Sequence, residues 1–126
     1  MKKDLFAAGL LAVILALSML NTGRINSLCD DLDELVDLSA RAATRGDWEE
    51  SRQALDKAVS LWKAQEEYTG IVLRHTDIET LTDDLYELAE HIYTRDGAAA
   101  KAAASLVREH LKSIKKMESI NPGSIF

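Results

Sequence analysis

The apolar run near the N-terminus constrains the fold more than any other feature of the chain. Leu5–Leu20 (LFAAGLLAVILALSML) contains 16 residues without a charge. As an α-helix, Leu5–Thr22 would be about 27 Å long, close to the roughly 30 Å hydrocarbon core of a bilayer. The segment therefore predicts a single transmembrane helix, with residues 1–23 forming a cytoplasmic N-terminus and membrane anchor.

The charges on either side of this run predict its orientation. Lys2 and Lys3 precede it, whereas Arg24 and then five acidic residues up to Asp37 follow it. Because basic residues favour the cytoplasmic side, the N-terminus is expected in the cytoplasm and the rest of the chain outside the cell membrane. The opposite topology would make the protein a cytoplasmic-facing adaptor.

A cleaved signal peptide is the alternative interpretation of the same run. Ala16 and Ser18 place small residues at the −3 and −1 positions of a cleavage site. Cleavage there would leave Met19 and Leu20 at the new terminus, and the run is slightly longer than a usual signal core. An uncleaved anchor is therefore favoured over a secreted helical domain.

Glycines divide the remaining sequence into helix-sized intervals. Gly23, Gly46, Gly70, Gly97 and Gly123 are separated by 22 to 26 residues, and apolar residues recur at spacings of three and four between them. The pattern predicts an all-α protein in which the anchor is followed by an antiparallel bundle of about four helices. The bundle is expected over residues 24–120 and a C-terminal tail over 121–126; the first bundle helix can simply continue the anchor.

Two local patterns predict how these helices begin and pair. Asp47, with Glu50 three residues later, is typical of a capped helix start, and Thr76 with Glu79 offers a second cap. A weak repeat at a spacing of about 50 relates Thr44-Arg45-Gly46-Asp47 to Thr94-Arg95-Asp96-Gly97. It predicts two stacked helical hairpins that share one core.

The distribution of charge excludes one class of partner. The chain has a formal net charge of −6 and a pI near 5.0, so it repels phosphate backbones and is not expected to bind nucleic acid. Residues 30–90 hold 17 acids and 6 bases, whereas residues 91–126 hold 3 acids and 6 bases. The last helix is therefore the natural electrostatic complement of the earlier ones.

The order of these features resembles a known bacterial family. A short N-terminal span, an acidic helix ending at Gly46-Asp47-Trp48, a helix ending near Trp62, the segment His75-x-x-Ile78-Glu79 and a final Ile125-Phe126 are together similar to the family catalogued as domain of unknown function 4363. The resemblance covers nearly the whole chain. It implies a small, helical, membrane-anchored protein of the bacterial envelope, without an established activity. The approach to the final Ile-Phe, Asn121–Ser124, departs from the family pattern.

The best candidate for metal chemistry is centred on His75. His75, Glu79 and Asp83 are spaced by four residues and would share one helix face, where they could offer an imidazole and two carboxylates to a divalent ion. One helix supplies few convergent ligands. The favoured interpretation is therefore that His75 is a half-buried residue hydrogen-bonded across the bundle; the alternative is a ligand or metal sensor, or a metal-dependent hydrolase.

The other reactive residue types give weaker signals. His91 and His110 are expected to be structural. Adjacent carboxylates such as Asp83 and Asp84 do not face one another on a helix and indicate a solvated surface. Cys29 is followed by two acids, which disfavours a reactive thiolate. No catalytic residue, cofactor or resident metal is predicted.

The aromatic residues raise the question of a partner surface. Trp48 and Trp62 fall on one stripe with Leu55, which is typical of a core. Tyr86 and Tyr93 are also seven residues apart, and these four aromatics could instead form a surface for another envelope protein. The sequence thus favours a non-enzymatic, membrane-anchored interaction or scaffold protein.

Overall fold

Five helices make up the described chain. The computed structural model describes residues 2–125, and their side chains except those of 21, 22 and 118–125. The helices are α1 (Lys2–Thr44), α2 (Trp48–Ala64), α3 (Glu66–Val72), α4 (His75–Tyr93) and α5 (Gly97–Ile125). Residues 2–125 contain no strand, so the predicted all-α class is confirmed.

A single uninterrupted helix joins the apolar run to the bundle. In the first half of α1 the large apolar side chains are exposed on all sides, from Leu5 at 75% to Leu20 at 71%. From Ile25 onward the helix is amphipathic, and its inner face is buried. The expectation that the first bundle helix continues the apolar segment is therefore confirmed.

The bundle consists of two antiparallel hairpins. The second half of α1 pairs with α2, α4 pairs with α5, and the hairpins join through contacts of α1 with α5 and of α2 with α4. The predicted bundle of about four helices in two hairpins is confirmed. The structure adds the seven-residue α3 between the hairpins, and Gly70 lies inside α3 rather than at a helix boundary.

The two hairpin turns have the same backbone hydrogen bonds, so the weak sequence repeat corresponds to a repeated structure. Asp47 N–H donates to the Ala42 carbonyl at 2.9 Å, and Asp96 N–H donates to the His91 carbonyl at 3.0 Å. Each aspartate then caps the next helix by accepting from the backbone three residues on, at 3.2 Å and 3.1 Å. Asp47 and Asp96 are therefore equivalent, and the repeat has an offset of 49 rather than 50.

A left-handed residue makes each turn possible. Gly46 has φ +80° and Arg95, its equivalent, has φ +57°. Glycine adopts this conformation without steric cost, whereas a residue with a Cβ does so only when the surrounding turn holds it there.

The same offset relates the buried positions of the two hairpins. Nine pairs of buried residues lie 49 positions apart: Leu32/Leu81, Val36/Leu85, Ser39/Leu88, Ala43/Ile92, Ser51/Ala100, Ala54/Ala103, Leu55/Ala104, Ala58/Val107 and Trp62/Leu111. Each hairpin therefore presents one apolar face, and the two faces close a common core.

Two buried serines form reciprocal hydrogen bonds between α1 and α2 of the first hairpin. The Ser39 hydroxyl donates to the Ser51 carbonyl at 2.8 Å, and the Ser51 hydroxyl donates to the Ser39 carbonyl at 2.8 Å. Both side chains are fully buried, and reciprocal bonding satisfies both hydroxyls. In the second hairpin the equivalent positions are Leu88 and Ala100, so this pair of hydrogen bonds is specific to the α1–α2 hairpin.

Ion pairs join α5 to the acidic face of α1, as the charge distribution predicts. Arg108 donates to Asp33 at 2.8 Å and to Asp37 at 3.2 Å, and Lys115 pairs with Asp30. Hydrogen bonding from Arg41 of the same helix, helped by the charges of Arg41 and Arg108, lowers the pKa of Asp37 against a smaller effect of desolvation.

One predicted helix cap is correct and the other is wrong. Asp47 caps α2 as expected, although Glu50 bonds to Arg45 at 2.9 Å and does not complete a reciprocal capping box. Thr76 does not cap α4, because that helix already begins at His75, with Arg74 at the cap position and no side-chain bond there.

The division of the chain into residues 1–23, 24–120 and 121–126 stays a prediction. In the structure, α5 includes 121–125. Met1 and Phe126 lie outside the described residues.

Candidate functional site

A partly enclosed cleft lies between α2, α3 and α4. It encloses about 110 Å³, and its lining is Val59, Trp62, Lys63, Glu66, Thr69, Ile78, Thr82, Leu85 and Tyr86. This volume can hold several water molecules or one inserted side chain, and it is smaller than a typical cofactor site.

Trp62 forms the buried wall of this cleft. Its side chain is 6% exposed, and the indole Nε1–H donates to the Thr82 hydroxyl at 2.9 Å. The expectation that Trp62 belongs to the core is therefore confirmed. The hydrogen bond joins α2 to α4, so this residue also aligns the two hairpins.

The other three aromatic candidates lie in different environments. Tyr86 stands at the rim of the cleft, 50% exposed, with Lys63 Nζ 5.8 Å from its ring centroid. Tyr93 is 81% exposed at the far end of α4. Trp48 is partly buried and packs against the core at the start of α2. Of the four, only Trp62 and Tyr86 meet at this cleft.

His75 does not bridge the bundle, so the expectation of a half-buried residue bonded to another helix is wrong. It is the first residue of α4, its side chain is 84% exposed, and its Nε2 lies 3.0 Å from Glu79 Oε1 on the same helix. Asp83 is exposed two turns further on. His75 therefore lies outside the packed face of α4, whereas Ile78, three residues further on, packs against the core.

No group of three metal-type side chains is assembled within the described residues. His75 and Glu79 come together as the spacing predicts, but no third histidine, cysteine, aspartate or glutamate joins them at a distance suitable for a metal ion. Metal binding by His75, Glu79 and Asp83 stays a hypothesis, which the titrations described in the Discussion test.

A partly buried acid–base pair between α4 and α5 was not predicted from the sequence. Asp84 is 8% exposed, and its Oδ2 pairs with Nδ1 of His110 on α5. The general expectation that neighbouring carboxylates indicate solvation holds for Asp83 and is wrong for Asp84. The signal was present, because Asp84 follows Leu81 by three residues and precedes Leu88 by four, which places it on the buried stripe.

His91 lies beside a carboxylate of its own helix, and Cys29 lies in the apolar core. His91 Nε2 lies 3.8 Å from Glu87 Oε1, one turn earlier on α4. Cys29 is 3% exposed within the apolar core, where solution reagents have little access to its sulfur.

Comparison with known families identifies the chain. The family model "Domain of unknown function (DUF4363)" matches residues 19–125. The protein is a DUF4363 member. The resemblance seen in the order of its sequence features is thus confirmed.

The DUF4363 match covers the bundle and begins near the end of the apolar run. Residues 1–18, which include most of that run, lie outside it. Membership therefore establishes the family of the helical domain. It says nothing about the role of the N-terminal segment, which the match does not cover. The chain matches no curated protein and no solved structure.

Proposed function

We propose that this DUF4363 protein is a single-pass membrane protein whose helical bundle lies outside the cytoplasmic membrane and acts through protein contacts rather than catalysis. The observation that carries the proposal is the continuity of α1. One 43-residue helix carries exposed large apolar side chains over Leu5–Leu20 and then becomes a core element of the bundle.

The exposed first half of α1 supports a membrane environment. Within the described residues, α1 is the one helix long and apolar enough to cross a bilayer, and none of its apolar window is buried by the bundle. Leaving about four helical turns of leucine, isoleucine and phenylalanine in water would be unfavourable by roughly 25 cal/mol for each Å² of apolar surface. A bilayer removes that cost.

The charge asymmetry around this segment supports the orientation. Lys2 and Lys3 lie before the span, whereas Arg24 is the one basic residue among the 18 that follow Thr22, which also include five acids. Three of those acids, Asp30, Asp33 and Asp37, are bound by α5, which adds a structural reason for their presence.

The positions of the histidines support a contact function for the cleft beside Trp62 and Tyr86. Each of the three lies against a carboxylate elsewhere in the described chain, and none of them is among the residues that line this cleft. The cleft beside Trp62 and Tyr86 offers an apolar wall, an exposed ring and two charged side chains, which is the composition of a small protein-contact site.

Membrane extraction and site-specific crosslinking test the two parts of this proposal. The full-length protein should stay in the membrane fraction after an alkaline carbonate wash and keep its full mass; a soluble product starting near Met19 would show cleavage instead. A photoreactive amino acid at Tyr86 should crosslink to a discrete protein in native membranes. The same group at Glu49, exposed on α2 and outside the cleft lining, is the control. Equal capture at both positions would contradict a contact site at the cleft.

A further inference from the structure

Contacts of Arg24 fix the height of α3 relative to the apolar span. Arg24 follows Thr22 by two residues, which is about 3 Å along a helix axis. Its Nη2 donates to Gln65 Oε1 at 2.9 Å, and its guanidinium carbon lies 3.7 Å from the centroid of the Tyr68 ring. The start of α3 is therefore level with the end of the apolar segment of α1.

The outer side of α3 carries an exposed apolar residue. Thr69 is fully buried and Tyr68 and Val72 pack against the core, so this side of α3 faces the bundle. At 3.6 residues per turn, Glu67 and Ile71 lie on the opposite side. Ile71 is 83% exposed, more than any other large apolar side chain in the described residues.

Isolated exposed apolar residues are common on protein surfaces and need no partner. Ile71 differs because of its place: it lies in the connection between the two hairpins, at the end of the bundle where the apolar span begins. The tyrosine and arginine nearby, Tyr68 and Arg24, are types that favour the membrane–water interface.

Charge around Ile71 is mixed. Glu66 and Glu67 are exposed on α3, and Arg74 follows it, bonded to Met117 Sδ at 3.0 Å and 3.8 Å from Asp77. These groups are three acids and one base, so a contact with lipid would depend on apolar insertion and not on attraction to anionic headgroups.

We infer that α3 lies on the surface of the bilayer that α1 spans, with Ile71 inserted among the lipid headgroups and upper acyl chains. This inference rests on the proposed membrane anchor, because α1 sets the height of α3. The contact gives the bundle a second attachment to the membrane beside α1. It also places the cleft close to the bilayer, since Glu66 and Thr69 of α3 line it.

Spin labels on the full-length protein in lipid vesicles test this inference. Labels are attached at Ile71→Cys and, as the control, at Tyr93→Cys, both with Cys29→Ala. The control is 81% exposed and lies at the other end of α4, about 27 Å from His75 along the helix. Collision rates are measured with oxygen, which dissolves in lipid, and with a water-soluble nickel chelate, in phosphatidylcholine vesicles with and without phosphatidylglycerol.

The expected result is an oxygen-to-nickel collision ratio several-fold higher at position 71 than at position 93, in both lipid compositions. Equal ratios, with both proteins floating with the vesicles, would overturn the inference and leave the anchor standing. Failure to float would overturn the anchor and the inference with it. A high ratio at position 71 only with phosphatidylglycerol would overturn apolar insertion and indicate attraction to anionic headgroups. A high ratio that is lost when the protein is diluted with lipid would overturn it and indicate contact with a second copy of the chain.

Discussion

Truncation of Trp62 is the sharpest test of how the two hairpins are held together. The side chain is 6% exposed and its indole N–H is bonded to Thr82 at 2.9 Å. Replacing a buried large aromatic by alanine costs roughly 3–5 kcal/mol, from lost burial and the cavity that remains. Of this, about 1 kcal/mol is expected from the hydrogen bond. We therefore expect Trp62→Ala to lower the free energy of unfolding by at least about 3 kcal/mol.

Urea unfolding of the full-length protein in a mild detergent measures this loss. Far-ultraviolet circular dichroism follows the bundle, and each variant is compared at equal detergent and protein concentration. Thr82→Val separates the two contributions, since it removes only the hydrogen-bond acceptor and should cost about 1 kcal/mol. Trp48→Ala is the control, because this indole is only partly buried, and its loss should be smaller. A cost below about 1 kcal/mol for Trp62→Ala would refute the assignment of this residue to the core.

Three further predictions follow from other contacts. Ser39→Ala and Ser51→Ala should each lower the free energy of unfolding by about 1 kcal/mol, because each removes one hydroxyl that donates to a backbone carbonyl of the other helix and leaves the second bond in place; an unchanged free energy of unfolding in both variants would contradict reciprocal bonding. The lowered pKa of Asp37, caused chiefly by Arg41, stabilises the fold above the unfolded value near 3.9. That contribution is lost as the pH falls through the lowered pKa of the folded state. Asp37→Asn should therefore reduce the loss of unfolding free energy at acidic pH, and an unchanged pH dependence would contradict this. His75→Gln and His75→Leu should both change stability by less than about 0.5 kcal/mol and leave calorimetric titrations with zinc, manganese and calcium unchanged; tight binding abolished by both would restore the metal hypothesis.

The helical framework was predictable because it depends on local patterns. Apolar periodicity located the helices, and Asp47 marked the start of α2 because a cap needs only the residues beside it. Of the five glycines that divide the sequence, only Gly46 and Gly97 lie at helix boundaries, and the other three lie inside α1, α3 and α5. The continuous helix through Gly23 was compatible with the sequence, since a single glycine in a helix interior costs only about 1 kcal/mol relative to alanine.

The register of the repeat was less accessible. The letters Thr-Arg match at an offset of 50, whereas the equivalent capping aspartates are 49 apart. The left-handed position is a glycine in one turn and Arg95 in the other, so residue identity does not mark it. The backbone hydrogen bonds of the turns and the buried positions of the helices show which residues correspond.

The environments of His75 and Asp84 depended on packing that a helix pattern does not specify. His75 lies at the edge of an apolar stripe that packs against the core from Ile78 onward, and its own side chain is 84% exposed. Asp84 is buried because His110, 26 residues away, supplies a partner on α5. The rule that adjacent acids are solvated ignores such partners.

Accessibility of single cysteines in cells tests the central claim most directly. Lys2→Cys and Tyr93→Cys are each expressed as full-length proteins, while the native Cys29, 3% exposed, supplies the background. Wall-stripped cells are treated with a membrane-impermeant maleimide before and after permeabilisation. The account predicts that position 93 is labelled in intact cells, on a membrane-bound protein of full mass, and that position 2 is labelled only after permeabilisation. Labelling of position 2 with protection of position 93 would contradict the orientation, and a labelled, soluble, shortened product would contradict the anchor.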